Sequence, residues 1–221
     1  MIVSNLHEEA AHPTGARMRK ARGIPFSDPM VRALLDGRKS ITRRLVKRPK
    51  GFSDAVWNAA TPHNEGDGGL GIFGSAPYLR VWADDDTGRL GERIRCPYGI
   101  VGDELWCKEA LVREDDDFLA TYAIDGALVR RDERAVRWPW KPRKLAAMYC
   151  PRWASRITLE ITSVRVERLH QITEQDAIAE GIEPIDFPRE TFAALWDSIN
   201  GKRSPWNAND FVWRIAFRRL A

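Results

Sequence analysis

The sequence predicts an α+β fold built on a mostly antiparallel, barrel-like β-sheet with short flanking helices. A strand and a short helix open the globular part, several strand-like segments follow, and two helices and a last strand close it. The strict alternation of strands and helices that is typical of a parallel sheet does not occur. With 221 residues, 43% of them hydrophobic, the chain is long enough to bury one substantial core.

The first predicted elements follow a basic N-terminal tail. Residues 1–22 lack apolar periodicity and predict a disordered tail, so one domain is expected over residues 23–221. The apolar run 24–26 predicts a strand. Asp28, which precedes a proline, is typical of a helix start, and Gly37 is typical of a helix end.

The segment "KSITRRLV" leaves this helix and predicts a strand, because β-branched residues alternate within it. Ser40, Thr42 and Arg44 are expected to share one face, with Arg43 on the other. Lys39 then lies at the helix-to-strand corner, from which its side chain can reach the face that carries Thr42.

The middle of the chain predicts further strands and two irregular regions. Residues 46–98 are rich in Gly and Asp, and "YLRVWADD" is their best strand candidate. The run "GLGIFG" matches the spacing of a dinucleotide-binding loop, but a proline and a strand follow it instead of a helix, so no dinucleotide is expected. "GDELWCKEALV" predicts a turn and a strand with "ATYAIDG" as hairpin partner, and residues 130–149 predict an exposed excursion.

The C-terminal part shows the clearest periodicity. "RITLEITSVRVERL" predicts a strand with a bulge near Ser163. "TEQDAIAEGI" predicts a short helix that is capped at Thr173 and ends at Gly181. "RETFAALWDSING" predicts a second helix with one apolar stripe, and "DFVWRIAFRRL" predicts the final strand.

Composition restricts the partners and the compartment. The formal net charge is only +4, but Arg and Lys occur in clusters, which favours an anionic partner weakly. No apolar run is long enough to span a membrane, and no secretory signal is visible. An odd number of widely spaced cysteines predicts a reducing, cytoplasmic compartment. The four histidines lie far apart without ligand spacing, so neither a metal site nor a cofactor is expected.

Several motifs in this order resemble one known family. "GRKSITRR", "GDELW", "TEQDAIAEGI" and "FVWRIAFRRL" together resemble the ASCH family of the PUA-like superfamily, and "PMVRALLDGRKSITRR" with "PRWASRI" is similar to its longer phage or prophage members. The resemblance covers residues 23–221, with elaborations at about 46–95 and 113–150. It implies a small β-barrel whose helices close a cleft, and an association with RNA or modified nucleosides.

One branch of that family hydrolyses the acetyl amide of N4-acetylcytidine with a Lys, a Thr and a Glu. The resemblance places these three roles on Lys39, Thr42 and Glu180. A Thr hydroxyl needs a neighbouring base to become a nucleophile, and a desolvated Lys39 can supply one. Glu180 can orient the lysine or pass the proton to the leaving amine, although a close carboxylate also favours the charged lysine.

Two other functions stay open. The first is a non-catalytic module that binds RNA, single-stranded nucleic acid or a modified nucleoside through phosphate contacts and base stacking. Its candidate residues are Ser40, Arg43, Arg44, Arg152, Trp153 and Arg156, although Trp153 can equally be a core residue. The second is a metal-independent ribonuclease in which Lys39 stabilises the phosphorane. The sequence leaves the oligomeric state open.

Overall fold

The computed structural model describes residues 18–51, 53–64, 76–81, 92–115, 118–184 and 186–220. The run 69–74, for which no dinucleotide is expected, and most of the predicted tail lie outside the described residues. The described strands are β1 Ala21–Pro25, β2 Ile41–Leu45, β3 Thr61–His63, β4 Tyr78–Val81, β5 Glu92–Arg95, β6 Glu104–Lys108, β7 Leu111–Arg113, β8 Ala120–Tyr122, β9 Arg130–Arg131, β10 Arg134–Ala135, β11 Lys144–Leu145, β12 Thr158–Arg168 and β13 Phe211–Arg219. The described α-helices are α1 Asp28–Leu35, α2 Asp54–Asn58, α3 Glu174–Ala179 and α4 Pro188–Asn200.

The predicted α+β class with a mostly antiparallel sheet and short helices is confirmed. The main sheet has the strand order β1-β6-β12-β13-β2. Its β1–β6 pair is parallel and its other pairs are antiparallel. Strands β1 and β2 lie at the two ends of this order, and no pairing between described strands closes the sheet into a complete barrel.

Three smaller sheets surround the main one. Strands β3, β4 and β5 form one antiparallel sheet, β11, β7 and β8 form a second, and β9 pairs with β10 in a short hairpin. The predicted hairpin partner "ATYAIDG" contains β8, which pairs with β7. These additions fall mainly in the two predicted elaborations.

The two longest strands form the centre of the molecule. β12 pairs with β13 along most of its length, and the predicted bulge appears as a register shift between Ile161 and Ser163. The inward side chains of both strands join the largest apolar cluster, which includes the fully buried Trp213 and Phe211. Burial of this surface, worth about 25 cal/mol per Å² of apolar area, is the main source of stability for the sheet.

The first elements begin slightly earlier than predicted. β1 starts at Ala21, because Arg22 is already held by an ion pair with the buried Asp103 at 3.0 Å. Helix α1 starts at Asp28 with Ser27 as its N-cap, one residue before the predicted cap. Its C-terminal end agrees with the prediction, since Gly37 has a φ of 75°, a conformation that glycine adopts without steric cost.

The described residues include no helix that is long and apolar enough to cross a membrane.

Two further clusters complete the packing. One lies under β7, β8 and β11, and the other lies between α3, α4 and the start of β13. The second of these clusters fixes α4 against the sheet beside the corner that carries Lys39.

Candidate functional site

The corner between α1 and β2 is held by backbone hydrogen bonds. The amides of Arg38 and Lys39 both donate to the carbonyl of Ala33, at 2.9 and 3.0 Å, which closes the last turn of α1. The next amide, that of Ser40, donates to the carbonyl of Ala179 at 2.9 Å. This last bond ties the corner to the C-terminal end of α3, although the two segments are far apart in the sequence.

Helix α3 ends where it meets this corner. Thr173 caps its start by accepting a hydrogen bond from the amide of Asp176, as predicted. Gly181 ends it with a φ of 101°, and a Cβ at this position would lie 2.9 Å from the Cβ of Ala33. The close approach of the two helix ends therefore depends on glycine, and it brings Glu180 beside Lys39.

Lys39 and Glu180 form a buried ion pair. The Lys39 Nζ donates to the Glu180 Oε2 at 2.8 Å, to the Glu180 carbonyl at 2.5 Å and to the Ile41 carbonyl at 2.7 Å. The side chains are 1% and 5% exposed. Burial lowers the pKa of Lys39, and the Glu180 carboxylate opposes that shift. All three ammonium protons have acceptors, so the resting site holds a protonated lysine.

Arg43 is an internal support for this pair. Its fully buried guanidinium lies 2.7 Å from Glu167, 2.6 Å from Asp176 and 3.5 Å from Glu180. Burial alone would lower the pKa of Arg43, but the three carboxylates together raise it. A phosphate contact by Arg43 would require these bonds to break, so the geometry gives this residue a positioning role.

Thr42 lies in the same cleft as the ion pair. The cleft has a volume of about 340 Å³ and is lined by Lys39, Thr42 and Glu180 together. The Thr42 hydroxyl forms no hydrogen bond with any of the described residues. Residues predicted to converge therefore do share one cleft, and the hydroxyl is left available to a ligand.

The rest of the cleft is largely apolar. Phe26, between β1 and α1, forms one wall, and Phe192 and Trp196 of α4 form another. The Lys39 ammonium lies 5.5 Å from the centroid of the Phe26 ring. Ligand sites usually combine such apolar walls with a few placed polar groups in roughly 300–1,000 Å³, and this cleft is at the small end of that range.

Arg44 is a cation at the cleft, and it has no acidic partner among the described residues. Its Nη2 donates to the Pro25 carbonyl at 2.7 Å, and its guanidinium lies 5.1 Å from the centroid of the Phe26 ring. Its buried Nε has no hydrogen-bond partner. Burial lowers the pKa of Arg44. Unlike Arg43, this arginine retains a free donor.

The other predicted contact residues lie elsewhere. Ser40 is exposed, precedes β2 and is not part of the cleft lining. Arg152 and Trp153 lie on the 3₁₀ turn Arg152–Ala154, outside the cleft lining, and Trp153 is 37% exposed. Arg156 is bound to Glu109 at 2.8 Å and to Asp125 at 2.7 Å. Its charge is therefore already neutralised within the fold.

Sequence reasoning missed the carboxylates that hold Arg43. A signal for two of them exists, since Asp176 and Glu180 are four residues apart and so face the same way from the end of α3. Glu167 of β12 carries no comparable local signal. The aromatic wall from α4 was predicted only as a helix stripe, without its place beside the corner.

Chemically, the cleft offers a hydroxyl, a buried lysine–carboxylate pair and a free guanidinium donor. No group of three or more potential metal ligands occurs among the described residues. The arrangement can bind a flat, polar ligand against an aromatic wall and can move a proton along the short Lys39–Glu180 contact.

Comparisons with known proteins add a weak structural likeness. No family model and no curated protein matches the chain. A crystal structure of protein EF3133 from Enterococcus faecalis V583, described as DUF984, is similar over 92% of this chain and 82% of that chain. The TM-score is 0.38 with 10% identity, a level that carries no argument about family or function. ASCH membership stays a prediction.

Proposed function

We propose that the protein binds a modified nucleoside in the Lys39–Thr42–Glu180 cleft and hydrolyses an acyl amide on its base, as in N4-acetylcytidine. One observation carries the proposal: the three residues line one cleft of about 340 Å³, although the third lies about 140 positions away along the chain. ASCH membership belongs to the same proposal, because the resemblance assigns these roles to the same three residues.

The side chains support a balanced reaction. Transfer of a proton from Lys39 to Glu180 across 2.8 Å frees the amine, which can then accept the proton of the Thr42 hydroxyl. The Thr42 oxygen attacks the amide carbon, and the C–N bond breaks as the nucleobase amine takes up a proton from the pair. Water then hydrolyses the acyl ester and restores Thr42. General-base assistance of this kind is worth roughly 10²- to 10⁴-fold in rate.

The substrate contacts have defined candidates in the cleft. Phe26 and Trp196 offer apolar surface for a base, and the Arg44 guanidinium at the cleft can donate to a carbonyl oxygen or a phosphate of the ligand. Because Arg44 has no carboxylate partner among the described residues, such a bond costs no existing ion pair.

The test is hydrolysis of N4-acetylcytidine to cytidine by purified protein. We expect turnover by the wild type, loss of turnover in Thr42→Val, which keeps the side-chain volume, and retention in Thr42→Ser. Glu180→Gln should lower kcat by roughly 10²- to 10⁴-fold. Since burial lowers the pKa of Lys39, the neutral amine becomes more populated as the pH rises, so kcat should increase with pH. Folded wild type without turnover would eliminate this substrate.

A binding module without catalysis is the second candidate, and the three donated hydrogen bonds of Lys39 favour it. A lysine held as an ammonium is a poor base but a good ligand for an anion or a carbonyl. In that case, N4-acetylcytidine or cytidine should bind by calorimetry without turnover. Arg44→Ala should weaken binding, whereas Thr42→Val should leave the affinity nearly unchanged.

A further inference from the structure

The segment 130–153 concentrates positive charge far beyond the average of the chain. It contains eight Lys or Arg and two acidic residues, a net formal charge of +6, whereas the whole chain carries +4. The rest of the sequence therefore has a slight negative excess. Charge on this scale at one surface attracts polyanions from a distance.

Most cations of this segment form no ion pair with the described residues, although Arg143 pairs with Asp115. By contrast, the more buried Arg43 and Arg156 are both bound to carboxylates. Within the segment, several exposed side chains form no ion pair with described residues: Arg131, Arg134, Arg137, Lys141 and Lys144. Their charges are available to a partner.

Aromatic rings that are partly or largely exposed lie among these cations. The rings of Trp140 and Trp153 are parallel within 3°, with centroids 6.0 Å apart, and Trp138 meets Trp140 edge-on at 4.8 Å. The Arg131 guanidinium lies 5.8 Å from the Trp153 ring. We call these four residues the tryptophan platform. Tyr149, on the neighbouring turn, is also exposed.

The interior of this region is held together by other contacts. A cluster of buried side chains that includes Leu111 and Val129 lies beneath the segment, and the Tyr122 hydroxyl donates to the Ala154 carbonyl at 2.9 Å. Trp138 and Trp140 pack on the edge of that cluster, whereas Trp153 is 37% exposed. The outer face of Trp153 is thus not required to complete the core.

We propose that the tryptophan platform binds a single-stranded nucleic acid, whose bases stack on Trp153 and whose phosphates contact Arg131 and neighbouring cations. Stacking on aromatic rings beside a basic surface is the usual chemistry of single-strand binding, and a duplex keeps its base faces unavailable. The inference deepens the proposed function, on which it rests for its biological role, by naming the polymer that would carry the nucleoside.

The test uses the full chain and fluorescein-labelled RNA and DNA single strands of about 12 nucleotides, with the matching duplex as a third probe. We expect either single strand to bind more tightly than the duplex, and the RNA and DNA arms identify which sugar is preferred. Binding weaker than about 100 µM for both strands at about 50 mM salt, or a preference for the duplex, would overturn the proposal.

Two variants separate stacking from charge. Trp153→Leu should weaken single-strand binding by roughly 5- to 150-fold and leave its salt dependence unchanged. Arg131→Ala/Arg134→Ala should instead reduce the slope of log affinity against log salt by about 1.4, since each lost phosphate contact on a single strand removes about 0.7. The matched control, Lys202→Ala/Arg203→Ala, removes two exposed charges from another surface and should change neither.

An equal loss of affinity and salt dependence in the control variant would overturn the platform proposal and indicate unspecific electrostatic attraction. Unfolding midpoints of all variants show whether a loss of binding reflects lost fold, and the exposed double-arginine variant keeps the test decisive if Trp153→Leu is unstable. Hydrolysis of free N4-acetylcytidine is measured on the same proteins. Platform variants should keep that activity, so failure of the cleft proposal and failure of the platform are read separately.

Discussion

Arg43 is a buried cation beside the candidate catalytic carboxylate of Glu180, whose shorter contact is with Lys39. It contacts Glu180, Asp176 and Glu167 from within the sheet, and its side chain is fully buried. Buried charges are tolerated only when they are paired and hydrogen-bonded, so these groups depend on one another. Both adjacent arginines line the cleft, but Arg43 is bound to carboxylates, whereas Arg44 has no carboxylate partner among the described residues.

Arg43→Met should destabilise the fold strongly, because it removes a fully buried guanidinium that contacts three carboxylates. Among the described residues, only two of them keep another cation, Glu180 with Lys39 and Asp176 with Arg214. We expect a loss of about 3 to 5 kcal/mol in the free energy of unfolding, measured by urea denaturation near neutral pH. Arg43→Lys should recover only part of it, since an ammonium cannot form the forked contacts of a guanidinium.

The matched control is Arg143→Met, which removes an ion pair with Asp115 in which both side chains are more than half exposed. Exposed pairs are worth about 0 to 1 kcal/mol, so this variant should unfold almost as the wild type does. Equal effects of the two substitutions would show that Arg43 is not a structural centre of the site.

At the scale of elements, the ends of α1 and α3 create the site, and their sequences predict each end but not their meeting. The sequence predicts the helix ends at Gly37 and Gly181, and it predicts the Thr173 cap from the spacing of Thr173 and Asp176. The sequence does not predict the contact of Gly181 with Ala33, because this contact depends on how two distant segments pack on one sheet. The family resemblance alone connected Glu180 with Lys39 at the sequence level.

The difference between local and long-range contacts also explains which other predictions agree with the structure. The paired strands and the bulge of β12 follow from local periodicity, which records the side chains that face the core. The early start of β1 depends on Asp103, a partner 81 residues from Arg22. Arg156 was predicted to contact nucleic acid, and its ion pair with Glu109 was missed because long-range ion pairs leave no local sequence pattern.

Gly181→Ala should disturb the site more than an ordinary glycine substitution at positive φ. The left-handed backbone alone costs about 1 to 2 kcal/mol, and the new Cβ would also meet the Cβ of Ala33 at 2.9 Å. The matched control is Gly126→Ala, because Gly126 has a φ of 69° with nothing within 4 Å of an added Cβ.

We therefore expect Gly181→Ala to lower the free energy of unfolding by more than Gly126→Ala does, and to reduce ligand binding or turnover in the cleft, which the control should preserve. Equilibrium unfolding and the cleft assay measure the two effects. If both variants lost the same stability and kept the same activity, the close approach of the two helix ends would have no role in the site.

At the scale of the whole molecule, the cleft and the tryptophan platform are built on strands that differ in how extensively they are paired. The cleft is built against the main sheet, where β13 is paired on both sides by β12 and β2. The platform is built beside the short β9–β10 hairpin, whose four strand residues are all exposed. Its turn residues Asp132 and Glu133 have positive φ angles of 50° and 65°, as a two-residue hairpin turn requires.

Hydrogen exchange should report this difference directly. Amides of β12 and β13 should exchange only through global unfolding, whereas those of β9 and β10 should open locally and exchange at least about three orders of magnitude faster. Uniform protection across the chain would contradict it. Adding a single-stranded RNA should slow exchange in the hairpin and leave β12 and β13 unchanged, because a bound strand stabilises only the part of the molecule that it contacts.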